Sequence, residues 1–539
     1  MTIRSTRWLY VIWLLLICGF AALHALHLSA DFPNHSPWFS DWAKYTDEGW
    51  WANAAVRAHL TGNWYLTGDY NPASATPLWP FLEWLLFFAT GVTVEAARGL
   101  AVAFFFANLL LSFLLLRTRG PLWMTLLALT LLVTSPFLYS FSRLAILEPL
   151  LTALMLATLN LAIRLPKLRR PLAASICIGL LFTLMMLTKA TALFLAPALG
   201  WAIVCPFWKN RKPALRYILA AVGVFAVAFS SWMVLVVRSG TFQDFRNIML
   251  VNPNLRSSKP YWPLVSLYWE LSAGGQADYK FALLTGLVVL GTLLTWRNGW
   301  GRKLLLDPVF GASAFAIAGY LLFLIFYGHA APRYFAVVAF FSIFMVVQAA
   351  HALLCETAAD QVLESRQHSN RLTGRAIVAL ASLIAGMNAV QTLKYATHPE
   401  YTFVDAARRL TQFIDEHPNG QRLLIAASGD QIALVTHLPT RCDTFAVPCK
   451  WFPENAERLA RYQPGWYASW NHIDHNILAD IHTHFYLEQV ASYPIFDDPK
   501  RNLLVLFKLH PLPDGEVRNS DKQKLTQPLP GDKIEIPVQ

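Results

Sequence analysis

The sequence predicts an α-helical polytopic membrane protein of about eleven transmembrane helices, with a small C-terminal α/β soluble domain. Three observations carry this. Of 539 residues, 55% are hydrophobic and 14% charged, against about 25% charged in an ordinary soluble domain. The apolar residues gather in runs of roughly 20, the length that crosses a bilayer core of about 30 Å. Trp (20) and Phe (35) are abundant, as expected where rings anchor helices at a membrane interface.

Apolar runs mark spans at 8–28, 95–116, 121–141, 149–164, 172–188, 190–207, 214–237, 281–296, 308–328, 332–354 and 376–394. The first follows Arg4 and Arg7, has no clean small-residue cleavage site after it, and reads as an uncleaved anchor. Residues 78–91 are apolar but short and carry Glu83. If they crossed the membrane, every later loop would change side. If they lie along the interface, the basic loops fall together: Arg117 and Arg119; Arg164, Lys167, Arg169 and Arg170; Lys209, Arg211, Lys212 and Arg216; Arg297, Arg302 and Lys303; Arg366, Arg371 and Arg375. Basic loops stay in the cytoplasm, which puts the N-terminus there. The net charge of +11 is thus a topology signal and not a nucleic-acid surface.

The opposite, extracytoplasmic side receives the long loops 29–94 and 238–280, the turns at 142–148, near 189 and at 328–333, and everything after the last span. Residues 1–397 therefore form the transmembrane domain. Residues 398–510 recover charge and show β-type runs at Arg422 to Ala427, Gly465 to Trp470 and Leu503 to Lys508, with helical stretches around 403–415 and 455–461. That alternation suits a small α/β domain. The polar tail 511–539 is expected to be extended or disordered. Cys442 and Cys449 lie on the oxidising side, where a disulfide and two thiols are both open readings. Four more cysteines sit in or beside apolar spans and suit helix packing. No solenoid or transporter-type internal repeat is visible.

The first external loop contains YTDEGWWANAAVRAHLTGNW, residues 45–64. Thr46 can cap a helix with Asp47 and Glu48 in its first turn, where the dipole favours anions. Taken alone, that suits an interfacial helix. Glu148 precedes Pro149 at another helix start, with Arg143 just before it, and alone suits a helix-start acid. Lys189 stands between two spans and alone would snorkel to the headgroups. His329 and Arg333 share the turn GHAAPRYF. Together these ionisable groups fall on one face under a topology drawn only from loop charge, and ionisable groups at membrane spans tend to mark function. Acids and bases together are what group transfer from a phosphate-linked donor needs: a base for the acceptor and cations for the leaving phosphate.

At these residues the chain resembles the GT-C glycosyltransferases, above all the bacterial lipid A aminoarabinose transferases and the protein O-mannosyltransferases. The Asp47-Glu48 pair with Trp51, and the Gly62-Asn63-Trp64 run, are similar to the family's first-loop motif with its Gly-Asp-Trp. Leu147-Glu148-Pro149 is similar to a Leu-Asp-Pro, and Thr188-Lys189 to a Thr-Lys-Gly. The resemblance covers the membrane region to about residue 395. It implies an inverting enzyme of the bacterial inner membrane, with a polyprenyl-phosphate sugar as donor and a glycolipid, glycan or protein as acceptor, in lipopolysaccharide or protein glycosylation. It makes Asp47 the base or acceptor-binding carboxylate, with Glu48 and Glu148 as supporting acids. Lys189, at the position of the Thr-Lys-Gly lysine, becomes by this resemblance a candidate for the lipid phosphate; Arg333 joins it on charge and side, with Arg143 and His329 behind. Ser142 and Thr191 read as helix-packing residues. The family's Glu-Lys-Pro is replaced by Ala75-Thr76-Pro77, so one phosphate-facing lysine is missing.

Other signals are weaker. His472, His475, His482 and His484 cluster without a complete zinc set. Asp47, Glu48 and Glu148 are of a type that a divalent cation takes, but spacing does not bring them together. The loop aromatics Phe242, Phe245, Tyr261, Trp262, Tyr268 and Trp269 suit either a sugar or lipid groove or membrane anchoring. No Walker loop or dinucleotide fingerprint occurs. A transporter or flippase, and a non-catalytic binder of lipid-linked sugars, are the competing classes. The charges at helix ends on one face favour the enzyme.

Overall fold

The structure is a computed structural model, and the residues described are 3–31, 41, 43–66, 69, 71–251, 284–296, 299–327, 331–355, 364–442, 455–473, 475–495, 502–513 and 534–535. The chain divides into two compact units that do not follow its linear order. One comprises Met1–Leu26, Gly99–Ser239 and Asn254–His398; the other His27–Arg98, Gly240–Pro253 and Pro399–Gln539.

The first unit is a helical bundle. Among the described residues eight helices are long and apolar enough to cross a membrane, and the shorter apolar helices Arg7–Leu23, Leu122–Thr134 and Leu284–Leu294 fall on the three remaining expected spans. The expected span 121–141 is broken. Its helix stops at Thr134 because Ser135 precedes Pro136, and a residue before proline avoids helical geometry. The Ser135 hydroxyl then caps a short helix, Pro136–Phe141, by accepting from Leu138 N–H at 3.2 Å. The expected span 190–207 is likewise broken, into a 3-10 turn at Ala190–Leu195 and a helix at Ala196–Val204.

Burial separates inner from outer helices. In the apolar window of Pro332–Cys355, 78% of residues are buried, whereas in that of Lys212–Arg238 only 11% are. The first is the packed centre of the unit, and the second presents Leu215, Leu219, Val222, Val227, Val234 and Leu235 outward, a face suited to lipid. Gly319 permits the close contact between the helix Pro308–Phe326 and the 3-10 turn that follows Lys189. A Cβ there would lie 1.9 Å from the Phe194 carbonyl oxygen.

The second unit is built on a mixed five-stranded sheet: β1 (Gln421–Ala426), β2 (Thr440–Arg441), β3 (Pro464–Ser469), β5 (Phe485–Pro494) and β6 (Leu503–Pro511), in the order β2-β1-β3-β6-β5. β1 runs parallel to β2 and β3, and β6 is antiparallel to β3 and β5. Side chains alternate between faces. Leu424, Ala426, Trp466, Ala468, Leu504 and Leu506 enter one core with the helix Thr402–Glu416. Ile425, Tyr467, Val505 and Phe507 enter another with Ile481. In the tail, Ile534–Glu535 (β7) pairs with His472–Ile473 (β4).

The first loop belongs to this sheet unit. Tyr45 is fully buried in the first core, edge-on to Phe403 and Trp470 at ring distances of 5.7 and 5.2 Å. The apolar helix Leu78–Thr90 packs in the same unit.

Candidate functional site

Asp47 and Glu48 stand where a π-helical turn, Ala43–Asp47, runs into the helix Glu48–Thr61. The helix ends at Gly62, whose φ of 76° is the left-handed C-cap geometry glycine adopts freely. The sequence suggests Thr46 as the cap. Instead Asp47 occupies the N-cap position and makes no side-chain cap bond, while the Thr46 hydroxyl donates to Asp47 Oδ1 at 3.0 Å.

The two neighbouring acids have different surroundings. Asp47 is half-buried. Glu48 is sealed from solvent and held by Arg98, with Nε to Oε1 and Nη2 to Oε2 both at 2.7 Å. Arg98 also donates to the carbonyls of Leu28 and Ala30 and to Asp31. Asp31 in turn accepts from the backbone N–H groups of Phe403 and Val404. Gln431 completes the hub: its Nε2 donates to Glu48 Oε2 at 3.0 Å and its Oε1 accepts from Gly49 N–H at 2.6 Å. Glu48 is therefore bound into the frame that carries Asp47.

A second buried network lies further along the same loop. Asp69 accepts from Arg57 at 2.9 Å and Arg458 at 2.8 Å, with Arg441 at 3.6 Å. Arg57 also faces Asp430 at 3.8 Å. Burial, above the opposing pull of Arg57, pushes the Asp430 carboxyl up from its ordinary range. Asn71 Nδ2 donates to Asp244 Oδ2 at 3.1 Å, and burial pushes the Asp244 carboxyl up to about 6.

In the helical unit, Lys189 ends the helix Pro171–Thr188 in an extended conformation, with φ −160° and ψ 129°. Its ammonium pairs with Glu148 Oε1 and sits 4.1 Å from the centroid of the Tyr334 ring. The Arg333 guanidinium lies 5.2 Å from the same ring. Glu148, the first residue of its helix, is 2% exposed. Two of the singled-out residues, Lys189 and Arg333, thus flank one tyrosine, and Glu148 joins them through Lys189. Arg143 points elsewhere: it donates to Tyr139 Oη and to the Leu26 carbonyl, each at 2.6 Å. Thr191 and Ser142 are packing residues, hydrogen-bonded to Tyr320 Oη at 2.9 Å and His24 Nδ1 at 2.8 Å.

His329, Tyr261, Trp262, Tyr268, Trp269 and Cys449 lie outside the described residues. Cys442 is buried. Among the described residues no group of three or more His, Cys, Asp or Glu could hold a metal ion. Of the carboxylates considered for a cation, Glu48 is bonded to Arg98 and Gln431, and Glu148 to Lys189. Sequence reasoning misses Arg98, Gln431 and Tyr334. Arg98, charged at the head of an apolar helix, carried a signal; Gln431 carried none.

No family model and no curated protein matches the sequence. Solved structures do match. The crystal structure of ArnT from Cupriavidus metallidurans bound to undecaprenyl phosphate superposes with a TM-score of 0.59 at 12% identity, covering 92% of this chain and 98% of that one. Its apo state gives 0.60 at 13% identity with the same coverage. At such identity the likeness speaks for the fold, and it agrees with the bundle and terminal sheet described above: the chain has the GT-C fold.

Proposed function

We propose that the protein is a membrane glycosyltransferase that moves one sugar from a polyprenyl-phosphate-linked donor to a glycolipid, glycan or protein acceptor, with inversion. The observation that carries this reading is the Lys189, Glu148, Tyr334 and Arg333 group within a GT-C fold. The undecaprenyl phosphate held by ArnT supports a donor of that kind. The distribution of basic loops supports an inner-membrane protein with a cytoplasmic N-terminus and the sheet outside.

The reaction is one displacement. The acceptor hydroxyl oxygen bonds to the anomeric carbon while its proton passes to Asp47. The bond from that carbon to the phosphate oxygen breaks, and its electron pair leaves with the polyprenyl phosphate. Attack and departure on opposite faces invert the centre. Lys189 and Arg333 balance the charge that grows on the phosphate, and a lysine has three donors, so one remains on Glu148 while others turn to phosphate. Glu148 orients Lys189, and Glu48 holds the segment that carries Asp47. His329 is assigned to the phosphate side as a supporting group, whereas Arg143 is engaged with Tyr139 and the Leu26 carbonyl.

The test is release of free polyprenyl phosphate by protein purified in detergent and offered a panel of polyprenyl-phosphate sugars. Release by the wild type that is lost in Asp47→Asn is the expected result. Release that survives the substitution removes Asp47 as base. Tight donor binding without release replaces the enzyme with a carrier-binding or transport protein.

A further inference from the structure

We infer that Gln431, contributed by the sheet domain, is a positioning residue for Asp47: it caps the first-loop helix in place of the acid that stands at the N-cap. This rests on the glycosyltransferase reading above.

The argument begins with the helix end. The first N–H groups of a helix lack partners within it, and an Asp at the N-cap usually supplies one with its own carboxylate. Asp47 makes no such bond. Gly49 N–H, in the first turn, instead donates to Gln431 Oε1 at 2.6 Å. The same amide donates through Nε2 to Glu48 Oε2. Its two ends thus fix the backbone and the side chain of the two residues that follow Asp47. Gln431 is fully buried, so water does not stand in for it.

Gly49 shows that the approach is built into the backbone. A Cβ there would lie 2.2 Å from both Asp430 C and Gln431 N. Those are main-chain atoms, which cannot swing aside as a flexible side chain can. Glycine allows the first turn of the loop helix to touch the start of the helix Gly429–Thr436, and this contact brings the Gln431 amide within reach. The sheet domain thereby governs where the Asp47 carboxylate stands and relieves it of capping. In transfer chemistry, misplacing a reacting group by about 1 Å can cost about 100-fold.

The test compares Gln431→Met, of similar length without the amide, with Ile432→Ala. Ile432 is a fully buried core residue beside it that makes neither bond. Both variants are purified as full chains, and melting temperature, kcat and donor KM are measured. Positioning predicts that Gln431→Met loses kcat about tenfold or more with donor KM within about twofold, while Ile432→Ala melts lower and keeps kcat near wild type. Wild-type kcat in Gln431→Met, or kcat losses in both variants that simply track melting temperature, would overturn the inference. If the methionine variant does not fold, Gln431→Asn, too short to reach both partners, gives the same readout. An inactive wild type instead removes the glycosyltransferase reading itself, and is seen separately.

Discussion

Arg98 grips Glu48 through two parallel hydrogen bonds of 2.7 Å, with both side chains shut off from solvent. Removing Arg98 strips the buried Glu48 of its cation, and removing Glu48 leaves the buried Arg98 with Asp31 at 3.3 Å in place of two bonds at 2.7 Å. Glu48→Ala is therefore expected to destabilise the protein by about 3–5 kcal/mol. Asp47→Asn, one residue earlier and half-buried, should cost less than about 1 kcal/mol while abolishing transfer. Thermal unfolding in detergent separates the two. Equal drops in melting temperature would remove the division of labour between these adjacent acids.

Lys189 offers a test on the other unit. Lys189→Met deletes the cation paired with Glu148 and stacked on Tyr334. The expected loss in kcat/KM for a polyprenyl-phosphate donor is about 100-fold or more. Lys189→Arg keeps the charge but not the compact ammonium, and should fall between. Glu148→Gln retains a hydrogen-bond acceptor and should lose about tenfold, less than Lys189→Met. Initial rates of polyprenyl phosphate release across a donor series check the order. A Lys189→Met enzyme with wild-type donor KM and kcat would take the phosphate role away from this residue.

The membrane spans were legible because a lipid solvent imposes one simple demand, about 20 apolar residues per crossing, and each expected run meets a helix. The breaks at Ser135 and Leu195 were not anticipated: at the first a residue before proline leaves helical geometry, and at the second a 3-10 turn precedes the helix Ala196–Val204, neither of which interrupts the apolar run. In the sheet unit, β1, β3 and β6 carry buried apolar runs and were visible. β5 was missed because it is an edge strand with a single buried residue, Phe485, and exposed polar residues such as Glu488 and Gln489. Of the candidate site, only residue types were legible: Asp47, Glu148 and Lys189 stood out as charges at apolar boundaries. The partners that sort these charges are long-range in sequence. Glu48 to Gln431 spans 383 positions, and no local pattern encodes such a pairing. Glu48 thus reads as chemistry in the sequence and as framework in the fold.

Asp69 gathers Arg57, Arg458 and Arg441 around one buried carboxylate. Asp69→Asn removes the carboxylate that the buried Arg57 and Arg458 share with Arg441, leaving Arg57 with Asp430 at 3.8 Å, and is expected to cost about 3–5 kcal/mol. Removing one of those cations as well, in Asp69→Asn with Arg458→Met, should cost less than the sum of the single losses, because the two residues share one interaction. A double-mutant cycle on melting free energies measures that coupling. Strict additivity would mean that Asp69 and Arg458 are neighbours without energetic consequence.

Asp244 gives the sheet unit a pH dependence whose sign follows from its surroundings. Burial first, and the nearby Asp69 charge, raise its carboxyl from an ordinary 3.8 to about 6, against the lowering effects of Asn71 and Arg57. The folded protein then binds this proton more tightly than the unfolded chain does. Between about pH 4 and 6 the folded state carries more of it, so stability falls as pH rises through that window, by up to about 1.4 kcal/mol per pH unit, and levels off above it. Asp244→Asn keeps the size of the side chain and has no proton to lose. The variant should match the wild type near pH 4 and exceed it by about 1–3 kcal/mol at pH 8. Its amide can turn so that its oxygen accepts from Asn71 Nδ2, which preserves the contact to the first loop. Melting curves of both proteins across pH 4 to 8 test this. A difference that is constant with pH would show that the Asp244 carboxyl is not the group that titrates.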